Sequence, residues 1–168
     1  IYVTHDQEEA LVLSDRIAIL QHGKLIAFDT PRNLHDQPRT ASVASFFAGA
    51  DLLPAEHAVT SAGVEVTLFG QKRTMTGSSV GADDPVLLSV PPTSWRRRVA
   101  KDAWRVAGRV TDIGYLGDVT QLTVALAGSG QPVKVRMSSA EAADIEVEQE
   151  LTLGLAPTDA RLVVDDRR

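Results

Sequence analysis

At 168 residues the chain has room for one domain or two small ones, and enough length to bury a real core. Apolar residues make up 43% and charged residues 23%, ordinary for a globular protein. A net charge of −5 supplies no basic field for nucleic acid, the absence of cysteine excludes disulfides and thiolate metal sites, and no apolar run nears the roughly 20 residues of a membrane-spanning helix.

In chain order, Ile1-Tyr2-Val3 is a short β-branched and aromatic run that reads as a strand ending in Thr4-His5. A helix follows at once. Thr4 with Gln7, or Asp6 with Glu9, has capping-box spacing, and Asp6, Glu8 and Glu9 place negative charge where the helix dipole favours it. Ala10, Leu11 and Leu13 offer an apolar face, and Ser14-Asp15 marks the stop. Residues 16–20 and 24–28 read as a hairpin around a His22-Gly23 turn. Thr30-Pro31 starts a helix, with Thr30 as cap and Pro31 in the first helical position, and Pro38 ends it. Residues 42–47 predict one more short helix, stopped at Gly49.

From residue 51 onward the texture changes to short alternating runs separated by Gly, Ser, Asp and Pro: 63–69, 85–90, 104–113, 118–127, 132–137 and 150–155. Such spacing predicts an all-β barrel or sandwich. The Ala-rich stretch 139–144, behind Ser138 and Ser139, predicts a short helix. Segments 55–92 and 104–164 are weakly alike and open to reading as two halves of one barrel.

Residues 5–11 (His5-Asp6-Gln7-Glu8-Glu9-Ala10-Leu11), 14–20 (Ser14-Asp15-Arg16-Ile17-Ala18-Ile19-Leu20), Gly23-Lys24-Leu25 and Asp29-Thr30-Pro31 together resemble the switch-histidine segment of ABC importer ATPases. The later marks Gly108-Arg109-Val110, Gly114-Tyr115-Leu116-Gly117-Asp118 and Leu153-Gly154-Leu155-Ala156-Pro157 resemble the transport-associated OB domain of such importers. There are two departures. Pro91-Pro92-Thr93 stands where the family often has Arg-Pro-Glu, and Glu148-Gln149 stands where a glycine often precedes the last long strand. The departure counts against a function resting on that Arg or Glu.

The resemblance implies an α+β fold class: a short α/β remnant of an ABC ATPase domain over residues 1–50, then an OB-like all-β barrel over 51–168. It implies the C-terminal portion of an ATP-hydrolysing subunit. His5, the one catalytic and cofactor-binding candidate, would face the ATP γ-phosphate, and no metal ligand is expected. The helix N-terminus that follows disfavours the imidazolium, which suits a neutral donor. ATP and Mg2+ are implied for the full-length protein and neither for the fragment, because no G-x-x-x-x-G-K-[ST] phosphate loop occurs in these residues. The implied partners are a second ATPase subunit, integral membrane permeases and, indirectly, a solute-binding protein, on the cytoplasmic face of the membrane, with no nucleic acid. The solute is iron, a polyamine, a sugar or a related compound, with a lean to iron or polyamine from Ala44-Ser45-Phe46-Phe47 and Asp51-Leu52-Leu53-Pro54. Two alternatives stand beside this: a regulatory module binding a small ligand or oxyanion, and a purely structural dimerisation domain.

The remaining chemistry-bearing residues read as structural. Asp6 and Gln7 start a helix, and His22, His35 and His57 lie on solvated surface without metal-ligand spacing. Arg96-Arg97-Arg98, between Trp95 and Trp104, reads as a loop-borne charge run, and Tyr115 and Leu116 as core or turn packing.

Overall fold

The computed structural model describes residues 1–77 and 80–167. Helix α1 (Gln7–Leu13) begins where the Asp6 carboxylate accepts the Glu8 and Glu9 amide N–H groups at 2.8 and 3.0 Å. Strands β1 (Ile17–Gln21) and β2 (Lys24–Asp29) form an antiparallel hairpin. Its turn residues His22 and Gly23 both have positive φ, 49° and 75°, the geometry whose twist matches the flanking strands. Helix α2 (Pro31–Asp36) is capped by Thr30, and α3 (Ala41–Ala48) by Thr40, ending at a left-handed Gly49.

Ile17, Ile19, Leu34, Val43 and Phe47 form a small core under these elements, with Ala10, Leu11, Ile26 and Ala27 packed against it. Residues 1–50 thus carry α1, α2 and α3 with the β1–β2 hairpin, and of the expected elements the opening strand is the one not formed among the described residues. Residues 1–4 pair with no strand among the described residues, and the hairpin is antiparallel. A strand exists only by its partner, and the described residues offer none to residues 1–4. Leu13, placed on the apolar face by its spacing, is exposed.

Eleven strands follow: β3 (Asp51–Pro54), β4 (Glu56–Thr60), β5 (Gly63–Leu68), β6 (Gln71–Met75), β7 (Val86–Val90), β8 (Trp95–Arg96), β9 (Trp104–Tyr115), β10 (Val119–Leu126), β11 (Pro132–Ser138), β12 (Glu150–Leu155) and β13 (Arg161–Val164). They form a five-stranded sheet ordered β11-β10-β9-β12-β8, and two three-stranded sheets, β13-β7-β3 and β4-β5-β6. Alternation sends Val64, Val66, Leu122, Val124, Val133, Leu151 and Leu153 into one shared core, together with Trp95 and Trp104. This barrel-like β architecture fits the expected OB-like class.

The two β segments share one core and interlock. A 3-10 turn at Pro92–Ser94 joins β7 to β8, and another at Pro157–Asp159 joins β12 to β13. Across these turns the strands are exchanged: β7 pairs with β13, and β8 with β12. The turns share a pattern, Pro92-Thr93-Ser94-Trp95-Arg96 and Pro157-Thr158-Asp159-Ala160-Arg161. Each arginine donates back to two carbonyls of its own turn, Arg96 to Thr93 and Trp95, and Arg161 to Thr158 and Ala160. Ser94 Oγ bridges the turns by donating to the Asp159 carbonyl at 2.7 Å.

The helix expected at 139–144 is a run of turns. Ser138 and Glu141 do make a capping-box exchange, with Glu141 N–H on Ser138 Oγ at 3.3 Å and Ser138 N–H on Glu141 Oε2 at 3.4 Å. Burial of Ala142 and Ile145 and the Arg97–Asp144 ion pair then take over before a second turn forms.

Helix α3 lies on the β13-β7-β3 sheet, where Ala41 and Ala44 are buried against Leu87 and Val163. The C-terminal tail crosses its start. Thr40 bridges Val164 in parallel, Val164 N–H reaches the Arg39 carbonyl at 3.1 Å, and the Asp166 carboxylate accepts the Ser42 N–H at 2.9 Å. Among the described residues no helix is long and apolar enough to cross a membrane.

Candidate functional site

His5 occupies a bend between the extended residues 1–4 and α1, and its side chain is exposed. Among the described residues no hydrogen bond holds its ring, so the flanking backbone sets its position. That backbone is tied down on both sides. Asp6 N–H donates to Thr4 Oγ1 at 2.9 Å, and Thr4 Oγ1 in turn donates to Glu9 Oε2 at 2.8 Å. Tyr2 Oη donates to the same Glu9 oxygen at 3.0 Å. The hydrogen bond to Glu9 and its negative charge raise the Tyr2 phenol above its ordinary range.

Beside this turn runs an open cleft of about 1110 Å³, with Tyr2, Thr4, Asp6, Ile19, Phe28 and Phe46 among its walls. Large apolar side chains stand out in solvent around it, including Val3, Leu20 and Phe28. The guanidinium of Arg16 stacks over the Phe28 ring at 5.6 Å.

The barrel carries a second, smaller cleft of about 350 Å³ lined by Ser45, Asp51, Lys134 and Arg167 among others. Asp51 accepts the Lys134 backbone N–H at 2.6 Å. Burial pushes the Asp51 carboxyl above its ordinary value, with that hydrogen bond and the Lys134 charge partly opposing.

The other residues singled out from the sequence fall as follows. His22 is an exposed turn residue, His35 Nδ1 lies 2.8 Å from Asp36 Oδ1, and His57 Nε2 donates to the Gly81 carbonyl at 2.9 Å. Among the described residues no group of three or more His, Cys, Asp or Glu side chains is arranged to hold a metal. Arg97 makes a two-pronged pair with Asp144, and Trp95 and Trp104 are buried, so no exposed aromatic face accompanies the arginine run. Tyr115 and Leu116 are neither core nor packed turn. They sit 75% and 61% exposed at the β9–β10 tip, which Ser139 Oγ braces by donating to the Gly117 carbonyl. The sequence reading missed the Glu9 hydroxyl network, because Thr4 and Glu9 lie five apart, outside helix-cap spacing.

Residues 96–163 match the family described as the TOBE domain. The chain is similar to spermidine/putrescine import ATP-binding proteins PotA. That of Ruegeria pomeroyi is 37% identical over 128 residues, covering 75% of this chain and 34% of the relative. That of Mesorhizobium japonicum is 32% identical over 172 residues, covering 99% of this chain and 46% of the relative. The chain thus spans about a third to just under half of the curated relatives it matches. Among solved structures, the cytoplasmic molybdate-binding protein ModG shares the fold at a TM-score of 0.50 and 14% identity, over 68% of this chain and 92% of that one.

Proposed function

We propose that the chain belongs with the ATP-binding subunits of ABC importers, and that it is the C-terminal region of the ATP-hydrolysing subunit of a polyamine-type importer, a reading supported by the TOBE match and the PotA relatives. The carrying observation is the ordered run from His5 to Pro31, within a chain that aligns over 99% of its length with one such subunit. In this reading residues 1–50 close the nucleotide-binding domain and 51–168 form the transport-associated barrel. In the full-length protein ATP with Mg2+ would supply the phosphoryl group and the divalent charge that neutralises it. Two such subunits would pair beneath membrane permeases on the cytoplasmic face, with a solute-binding protein outside. The barrel would support that pairing or bias its opening and closing.

Of the groups that hydrolysis needs, this chain supplies His5. Charge spreads over the γ-phosphoryl oxygens as the bond to the leaving group loosens, and a donor placed there stabilises it. An exposed imidazole at the mouth of α1 can present one N–H in that direction. His5→Ala in the full-length subunit is expected to lower kcat by about 10²-fold while ATP binding persists. Wild-type turnover in that variant would refute the assignment. The fragment alone is expected to leave ATP intact.

A second reading, a regulatory small-ligand or oxyanion module, draws on the Asp51–Lys134–Arg167 cleft. Calorimetry of the chain against polyamines, iron, sugars, molybdate and sulfate discriminates, since heat from one of them supports the module and silence from all leaves a structural role.

A further inference from the structure

We propose that Glu9 is the positioning residue of the His5 turn, acting through the hydroxyls of Thr4 and Tyr2; this rests on the reading of His5 above. An ordinary capping box has the acidic residue at the third helical position reach directly back to the amide of the cap. Here a hydroxyl stands between them. The Asp6 amide donates to Thr4 Oγ1 at 2.9 Å, Thr4 Oγ1 donates to Glu9 Oε2 at 2.8 Å, and Asp6 Oδ1 closes the ring by accepting the Glu8 and Glu9 amides at 2.8 and 3.0 Å. The loop encloses the backbone on both sides of residue 5. A second strut comes from Tyr2, whose phenol lands on the same Glu9 oxygen at 3.0 Å.

The arrangement has a directional logic. Glu9 Oε2 is a carboxylate oxygen taking two hydroxyl donors, a stronger acceptor than a neutral group. It thereby fixes residues 2 and 4, which no strand pairing holds among the described residues. Glu8, one residue earlier, makes no side-chain hydrogen bond among the described residues and serves as the internal control. An exposed network of this kind adds little to global stability, but it narrows the angles through which an unpartnered imidazole can swing. Loss of such placement typically reads out in kcat rather than in substrate binding.

The test uses the full-length subunit. Glu9→Ala is expected to lower kcat about tenfold with KM for ATP within about twofold of wild type. Glu9→Gln, which keeps an acceptor oxygen, should recover most of that loss, and Glu8→Ala should match wild type. Combining Glu9→Ala with His5→Ala should cost no more than His5→Ala alone; additive losses would overturn the proposal, because Glu9 would then act without His5. A second readout is independent of turnover. In the 168-residue chain carrying Tyr115→Phe, the absorbance titration of Tyr2 should move down toward the ordinary phenol range in Glu9→Gln. An unmoved titration would overturn the network itself. Wild-type turnover in His5→Ala alone would remove the transporter role of residue 5, while the Tyr2 titration would still report whether Glu9 holds the turn.

Discussion

Glu148 sits in the left-handed region with φ 71°, at the turn before β12 where the resembled family often places glycine. Side chains with a Cβ lose roughly 1–2 kcal/mol there. The turn survives because Glu148 N–H is held by the Val110 carbonyl at 2.8 Å, and the Gln149 carbonyl accepts Val110 N–H at 3.0 Å. The Glu148 carboxylate reaches Arg109 only at 3.4 Å, with both groups well exposed, a pair that contributes little. Glu148→Gly therefore relieves strain and loses almost no interaction, offset in part by the greater freedom of glycine in the unfolded chain. A net gain of about 0.5 kcal/mol is expected, raising Tm by about 1–2 °C in a thermal melt. A lowered Tm would mean that the side chain holds the turn.

At the level of elements, Gly154 in β12 lies under Val99, from the loop that follows β8. A Cβ built on Gly154 would come within 2.8 Å of the Val99 Cβ, and closer still to its methyls. The loop thus seals the sheet because β12 offers no side chain at that point. Gly154→Ala is expected to destabilise by about 1–3 kcal/mol, through overpacking, in denaturant unfolding. Adding Val99→Ala should return most of it; no rescue would place the strain elsewhere. Elements of this kind differed in how readable they were. The β1–β2 hairpin was plain from Ile17 and Ile19 around a His-Gly turn, and β5, β9, β10 and β12 from clean alternation. Strand β4 escaped because its residues are mostly exposed, and β6 because Gln71-Lys72-Arg73-Thr74 has almost no apolar signal. The stretch 139–144 misled in the opposite direction, since alanine-rich composition is a local preference and the burial of Ile145 is a tertiary fact. At the candidate site Asp6 with Glu9 was one of the two cap readings that spacing offered, whereas His5 was singled out only by the resemblance. The hold of Glu9 on Thr4 and Tyr2 could not be read from spacing, because it depends on the chain folding back over α1.

For the whole molecule, the strand exchange had one legible trace, the repeated Pro-Thr-x-x-Arg, and the pairing across it is a property of the assembled sheets alone. Asp51 supplies one of the bonds that join the sheets. From β3, at the edge of one sheet, its carboxylate takes the Lys134 N–H of β11, at the edge of another, and so covers a free sheet edge. That placement carries a desolvation cost, seen in the raised pKa. A carboxyl raised in the folded state contributes stability that is full below its ordinary pKa of 3.8 and is lost as pH rises through the raised value. Asp51→Asn can keep a carbonyl oxygen for the Lys134 N–H and removes the charge. It is expected to be more stable than wild type near pH 7, with the gap closing below pH 3.8. A gap that persisted in acid would point to packing instead.

The bond from Ser42 to Asp166 spans 124 positions of sequence. Protein synthesis is vectorial, at about 5–20 residues per second, so on the order of ten seconds separate the appearance of the two groups. Throughout that interval a nascent chain holds α3 without its distant acceptor and leaves Ala41 and Ala44 without the cover of Val163. The early segment, although made first, must wait for late-arriving residues before it is finished, and it is in that waiting form that chaperones and proteases would meet it.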